Sequence, residues 1–255
     1  MAGSLELIGL RDFPLVEPGD DLAGIIGDAL CQQDLSLQPD DVLVLAQKIV
    51  SKAEGRYVRL SEVLPSAEAE ALAREADKDP RQAELILQES REVLRVRPGV
   101  VIVEHRNGYV HANAGIDKSN IAIDAGDPRV LLLPEDPDHS AARLREQLGA
   151  RFSVLPQVII NDSAGRAWRN GTVGIAIGTA GLDPLLNQIG ERDMFGNVLE
   201  VTESAVADEL AAAASLVMGQ AAEACPVVLA RGISLAQSAS GSASLLRDRA
   251  TDMFR

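Results

Sequence analysis

Val100-Val101-Ile102-Val103-Glu104-His105-Arg106-Asn107-Gly108-Tyr109-Val110-His111-Ala112 reads as two short strands joined by a tight reversal. An Asn-Gly pair supplies the positive φ angles that a tight hairpin needs, so antiparallel pairing is expected in the middle of the chain. The apolar runs Asp41–Gln47, Arg129–Leu133, Val158–Ile160 and Val227–Leu229 have the length and β-branched content of buried strands. Helical signals lie between them. Asp79-Pro80-Arg81-Gln82 combines an N-cap, a first-turn proline and a capping-box glutamine, and opens a helix expected to run to about Leu94. Ser140 is read as the cap of Ala141–Leu148, with Gly149 ending it. Thr202 is read as the cap of Glu203–Met218, ended by Gly219, with Ala207, Leu210, Ala211, Ala214 and Met218 forming a small-residue face suited to close packing. The acidic, alanine-rich tract Ser61–Lys78 reads as a solvated helix and loop. Hairpins with isolated crossovers predict an α+β chain with mixed sheets, in preference to a doubly wound parallel sheet.

Composition narrows the function. At 255 residues and 46% hydrophobic, the chain buries a substantial core as one large domain or two modest ones. A net charge of −14 disfavours a surface that tracks nucleic-acid phosphates. Nucleotides remain possible partners if local Lys or Arg groups, backbone N–H groups and bound cations offset that charge. Cys31 and Cys225 are far apart, with no His or Cys at zinc spacing, which points to a reducing compartment without a structural zinc. Cys225 is read as a packing residue. His105, His111 and His139 do not cluster in sequence. The N-terminus lacks leader features and no apolar run is long enough to span a bilayer, so a cytoplasmic protein is expected.

Two stretches carry the chemistry. Gly108–Asn120 and Asn161–Arg169 each place an aspartate, Asp117 and Asp162, where an apolar strand gives way to small, turn-forming residues. Two carboxylates at one sheet edge can hold a Mg2+ or Mn2+ ion whose shell is completed by phosphates and water. The alternative for each is a turn aspartate bonded to its own backbone. Asn120 and Ser163 add polar groups able to reach a phosphate or a second cation. Lys52 leaves the 41–47 strand where a phosphate-binding point charge would sit, or is a solvated surface lysine. Gly171-Thr172-Val173-Gly174-Ile175-Ala176-Ile177-Gly178-Thr179-Ala180-Gly181 fits neither the dinucleotide fingerprint nor the P-loop, and is read as glycines that let strand and helix approach closely. Gln220 offers a carbonyl oxygen to a hard cation, although a plain helix cap explains Gly219–Pro226 better locally. Trp168, between Arg166 and Arg169, is read as a core plug, with stacking on an arginine as the alternative.

Taken in order, Phe13-Pro14-Leu15-Val16 with Gly19-Asp20-Asp21-Leu22, Val50–Gly55, Ala112–Asp117, Asp162-Ser163-x-Gly165-Arg166-x-Trp168-Arg169 and Ala205–Ala211 resemble the coenzyme F-420 gamma-glutamyl ligase family over nearly the whole chain. The resemblance implies a GTP-dependent ligase that joins L-glutamate to the deazaflavin coenzyme precursor through an amide, with further gamma-linked glutamates in many members. It also implies two Mg2+ or Mn2+ sites, stimulation by K+, and an intertwined homodimer of two-lobed subunits, with residues 1–255 read as a single unit; in a departure from the two-domain relatives, no flavin-reductase-like domain is expected after Arg255. Carried over by motif, Asp117 and Asp162 bind the first metal and Ser163 and Gln220 the second. Phe13, Pro14, Leu15, Val16, Gln47, Lys48, Lys52 and Asn120 hold GTP together with Met218, Gly219, Gln220, Ala221, Ala222, Glu223, Ala224 and Cys225. Lys52, Asp117 and Asp162 carry the catalysis. Ser163 stands where threonine is common, which keeps the hydroxyl, and the 220–225 loop is less glycine-rich than the family pattern. The rival expectations are a GTP-binding regulatory protein without ligase activity and a ligase of the same fold acting on another carboxylate.

Overall fold

The computed structural model describes residues 3–121 and 126–254; Met1 and Ala2, part of the stretch read for leader features, and Arg255 lie outside that range. In chain order its elements are β1 (Glu6–Gly9), α1 (Leu22–Gln32), β2 (Val42–Ala46), α2 (Gln47–Ala53), β3 (Tyr57–Arg59), α3 (Ala67–Ala76), α4 (Pro80–Gln88), β4 (Ser90–Arg97) and β5 (Val100–His105). They continue with β6 (Val110–Ala112), β7 (Arg129–Leu131), α5 (Pro137–Phe152), β8 (Gln157–Arg166), β9 (Arg169–Ala180), β10 (Leu186–Asn187), β11 (Glu203–Ser204), α6 (Val206–Met218) and β12 (Val227–Arg231).

The central sheet has the order β1-β12-β2-β8-β9. Within it β2 and β8 run parallel, and the other pairs are antiparallel. That is an α+β arrangement, as the hairpin signal predicts. The strand β2 is an unbroken apolar run because both of its faces are covered. Val42 and Val44, with Ile159, Val228 and Ala230, pack against the small-residue face of α6, formed by Ala207, Leu210, Ala211, Ala214 and Met218. On the other face Leu43, Leu45, Val158, Ile160, Val227 and Leu229 pack against Ile26 and Leu30 of α1 and Leu144 and Leu148 of α5.

The glycine-rich stretch forms β9, and the close approach expected of it is present on both faces. A Cβ on Gly174 would lie 2.4 Å from the Ala211 carbonyl oxygen of α6. One on Gly178 would lie 2.5 Å from the Pro137 carbonyl carbon of α5. Only glycine lets the two helices seat on this strand.

Two further apolar clusters form between Leu60 and Leu132. In one, Ala69, Leu72, Ala73 and Ala76 of α3 and Ala83 and Ile86 of α4 cover Val101 and Val103 of β5. The tract read as solvated therefore has a buried alanine face beneath its exposed acids. In the other, Leu60 and Leu85 meet Val130 and Leu132 beside the β3–β7 pair.

Several boundaries differ from expectation. Helix α4 does begin at the Asp79 cap but stops at Gln88, since Ser90–Arg97 pairs with β5, a long-range ladder that overrides local helical propensity. Helix α5 begins at Pro137, capped by the Asp136 carboxylate, and continues through Gly149 to Phe152. Ser140 lies inside it, buried, bonded to Glu54 and to the Asp136 carbonyl. Glu203 and Ser204 pair with β10, which moves the start of α6 to Val206 and leaves Thr202 uninvolved as a cap. In the β5–β6 hairpin the positive φ is at Gly108 (99°), consistent with a type I turn followed by a left-handed glycine.

An ion pair fastens the sheet where β2 begins. Asp41, 1% exposed, accepts from Arg231 Nε at 2.8 Å and Nη2 at 2.7 Å. Replacing Arg231 by methionine strands a buried carboxylate, and a loss of about 3 kcal/mol is expected. Urea unfolding of the two proteins checks it, and a shift worth less than about 1 kcal/mol would contradict this role for the pair.

Candidate active site beside the end of β2 and the middle of β8

The last register pair of the parallel strands is Ala46 with Asn161, and beyond it the two chains part. The first turns directly into α2, while β8 runs on beside β9 as a hairpin. In open sheets, ligands bind where neighbouring parallel strands part company, which draws attention to this edge. Lys48 and Lys52 are four residues apart on α2 and so share a face. Lys48 Nζ lies 2.7 Å from Asp117 Oδ2 and donates to Ser119 Oγ at 2.6 Å. Lys52 Nζ donates to the Asn120 carbonyl at 2.7 Å. The Asp117 carboxylate also accepts the Ser119 N–H at 2.6 Å, and its backbone bonds both ways with Leu131. Burial pushes the Asp117 carboxyl upward, but the Lys48 ammonium and the Ser119 bonds outweigh it, so the group sits below the ordinary carboxylate range. Lys52 is lowered, first by burial and then by its cationic neighbours Lys48 and Arg129, against the pull of Glu17.

Asp162 does not sit where its strand runs out, as the sequence suggests. It lies inside the ten-residue β8, opposite Ile175. Its Oδ2 is 2.8 Å from His111 Nε2, and the imidazole is buried at 7% exposure. Burial disfavours the imidazolium, yet the Asp162 bond and charge dominate and raise His111 above its ordinary value. Next along β8, Ser163 Oγ donates to Gln220 Oε1 at 2.8 Å. Asn120 Nδ2 donates to the Ala221 carbonyl at 3.1 Å. A closed run of contacts results: α2 to the 117–120 loop, that loop to 220–221, Gln220 to Ser163, and Asp162 through His111 to β6, from which the 117–120 loop continues.

Other expected residues take different places. Phe13 and Val16 bury their side chains in the main core, leaving Pro14 and Leu15 exposed. Gln47 is buried, with its amide oxygen taken by Ser51 Oγ at 2.9 Å. Met218 is in the α6 core, where its sulfur accepts from Asn161 Nδ2 at 3.5 Å. Gly219, with φ of 71°, ends α6, and Ala221, Ala222, Glu223 and Ala224 form an exposed loop. Glu223, Ala224 and Cys225 line a cleft of about 740 Å³ with Gly9, Arg11 and Asp12, so the loop faces the residues leading into Phe13–Val16. Burial raises the Cys225 thiol, and a Cβ at Gly9 would lie 2.5 Å from its sulfur, which agrees with a packing role.

Two features escape the sequence reading. His111 is a partner of Asp162, and His105 stacks on Tyr109 at 4.9 Å, so two of the three histidines flank one ring although they are scattered in sequence. Trp168 is not a core plug: it is 81% exposed at the tip of the β8–β9 hairpin, because Arg166 pairs with Arg169 and forces the intervening residues into the turn.

No group of three or more His, Cys, Asp or Glu side chains gathers among the described residues. The oxygen donors along this run are the Asp117 and Asp162 carboxylates, the Ser163 hydroxyl and the Gln220 amide oxygen. That oxygen-only set is the chemistry Mg2+ and Mn2+ take at nucleotide sites. Lys48 already provides positive charge at Asp117, and His111 holds Asp162 by one oxygen, as groups supporting a metal carboxylate do.

Comparison with known proteins places the whole chain. The family model described as F420-0:Gamma-glutamyl ligase matches residues 11–232. The chain is 47% identical over 253 residues to the coenzyme F420:L-glutamate ligase of Methanothermobacter thermautotrophicus, covering 98% of this chain and 99% of that one. It is 45% identical over 234 residues to the protein of that name from Methanopyrus kandleri, covering 91% and 89% of the two chains. With the same ligase from Methanocaldococcus jannaschii the identity is 37% over 251 residues, covering 98% and 97%. The chain therefore belongs to the F420-0:gamma-glutamyl ligase family.

Proposed function

We propose that the protein is a GTP-dependent ligase that forms an amide between L-glutamate and the carboxylate of the deazaflavin coenzyme precursor, releasing GDP and phosphate. The observation that carries this reading is the closed run of contacts joining Lys48, Asp117, Asn120, Gln220, Ser163 and Asp162 at one sheet end. A carboxylate cannot expel oxide. Its oxygen attacks the γ-phosphorus of GTP, the bond to GDP breaks, and the resulting acyl phosphate is attacked by the glutamate amine, which expels phosphate and releases one proton overall. No protein nucleophile is required, since phosphoryl transfer depends on positioning and charge neutralisation.

Lys52 holds the triphosphate, and Lys48 turns from Asp117 to the phosphates as ligands arrive. Asp117 and Asp162 would hold one divalent cation, and Ser163 and Gln220 a second; Mg2+ or Mn2+ bound there would supply charge neutralisation for phosphoryl transfer. His111 fixes the orientation of the Asp162 carboxylate. Residues 1–255 act as one two-lobed unit, with K+ as a stimulating ion. A homodimer fits the bare apolar side chains of the 186–204 segment, where Met194 is 98% and Phe195 90% exposed. No helix among the described residues is long and apolar enough to cross a membrane, and the partners proposed are small molecules, not nucleic acid.

The decisive experiment is mass spectrometry after incubation with GTP, Mn2+, L-glutamate and the deazaflavin precursor. A product heavier by one or more glutamyl residues, with matching GDP, is expected; GDP without glutamate incorporation sinks the reading. Heavy oxygen placed in the precursor carboxylate should appear in the released phosphate. Chelation of divalent ions is expected to abolish GTP binding as well as turnover, because a chain of net charge −14 lacks enough local cations to hold a triphosphate alone. Calorimetric titration of GTP with and without chelator checks it, and unchanged affinity in metal-free buffer would show that the ions serve catalysis only.

A further inference from the structure

The β8–β9 hairpin continues outward from the site and ends in an aromatic and cationic tip to which nothing above assigns a task. Trp168 is the only tryptophan in the chain. It is 81% exposed and held at a φ of 59°, a left-handed conformation that glycine or asparagine would adopt with less strain. A bulky aromatic held there in solvent satisfies neither packing nor backbone preference. Its ring lies 5.0 Å from that of Phe254, and the Arg247 guanidinium is 5.3 Å from the Phe254 ring. Arg166 and Arg169 flank Trp168; Arg166 bonds only the Gly171 carbonyl, and neither arginine makes an ion pair among the described residues. Asp248 and Asp252, which precede Phe254 in sequence, accept from the Ala250 and Phe254 backbone N–H groups. In a chain of net charge −14 this tip offers aromatic faces beside uncommitted positive charge.

We infer that Trp168, Phe254, Arg166 and Arg169 form the binding platform for the far end of the acceptor, the aromatic ring stacking on Trp168 and the phosphodiester meeting an arginine. The inference rests on the proposed acceptor, a flat tricycle joined through a polyol and a phosphodiester to the reacting carboxylate. The layout fits such a ligand. A strand advances about 3.3 Å per residue, so Trp168 stands at most about 20 Å beyond Asp162. An extended tricycle, polyol, phosphodiester and hydroxy acid spans a comparable length, which places its carboxylate at Asp162 and Ser163 when its ring is at the hairpin tip. Stacking is tolerant of ring identity, while the arginines select for the anion.

The single tryptophan is its own reporter. Titrating the holoenzyme with deazaflavin precursor is expected to quench tryptophan emission to a saturating limit, whereas GTP alone leaves it nearly unchanged. In steady-state assays Trp168→Ala is expected to raise the KM for the acceptor by about tenfold or more, with Trp168→Phe intermediate and the KM for GTP within about twofold of the parent. Arg169→Ala should raise the acceptor KM as well, and the loss should shrink for a truncated acceptor lacking the phosphodiester. An acceptor KM unchanged in Trp168→Ala, or unquenched emission at saturating acceptor, overturns the platform while leaving the ligase reading intact. A parent enzyme that makes no glutamylated product defeats the ligase reading instead. Conversion of the Trp168→Ala protein to a smaller species on size-exclusion chromatography also overturns the platform, since the tip would then be a contact between two copies of the chain.

Discussion

Asp162→Asn is expected to lower turnover by at least about a hundredfold while the protein stays folded, and Asp117→Asn to do the same. The carboxylates are held in two different ways, and that makes the pair informative. Asp162 is braced by a buried imidazole at 2.8 Å, so the asparagine keeps the shape of the site but loses the charge that raises the His111 pKa. Asp117 is braced by a half-exposed ammonium at 2.7 Å and by the Ser119 turn, so its replacement frees Lys48. If both act by holding cations, each variant should lose tight GTP binding in the presence of Mn2+ and regain part of its rate at high Mn2+ concentration. Thermal unfolding separates this from collapse, because neither side chain lies in an apolar cluster and each melting temperature should fall by only a few degrees. Rates within about threefold of the parent in either variant would remove that residue from the ligand set.

The central sheet was legible because its signals are local and physical. Val42-Leu43-Val44-Leu45 reads as a buried strand and is covered on both faces, and the β9 glycines announce close packing without saying against what. The small-residue face of α6 was read from spacing alone, and every one of its named residues is buried. What escaped is set by partners distant in sequence. Ser90–Arg97 has a helical continuation available locally and becomes a strand through pairing with β5. His111 gains its role from an aspartate fifty-one residues away, a contact that no local pattern encodes. Trp168 was misplaced because apolar residues are usually buried, and a residue exposed for a ligand breaks that rule. In the site, the two lysines, the 117–120 loop and the Ser163–Gln220 contact do come together, whereas Phe13, Val16, Gln47 and Met218 turn their side chains into the interior.

Gly174→Ala is the test that joins packing to chemistry. The added methyl would lie 2.3 Å from Ser215 Oγ, 2.4 Å from the Ala211 carbonyl oxygen and 2.6 Å from Asn161 Oδ1, and one of these is main chain and cannot rotate away. Helix α6 must therefore lift from β9, at an expected cost of about 3 kcal/mol, or roughly 6–12 °C in melting temperature for a chain of this size. Gly165→Ala is the matched control on the same hairpin, since a Cβ there meets nothing within 4 Å, and its stability should stay within about 0.5 kcal/mol of the parent. The consequence reaches the site because α6 ends two residues before Gln220, whose amide oxygen meets Ser163, and because Asn161, next to Asp162, bonds Ser215 at 3.0 Å. Lifting the helix carries Gln220 away from Ser163, so the KM for GTP should rise at temperatures where the protein is still fully folded. A Gly174→Ala enzyme that melts early yet binds GTP normally below its transition would show that the α6–β9 contact serves stability alone, and that the 218–225 loop is positioned by something other than the helix it follows.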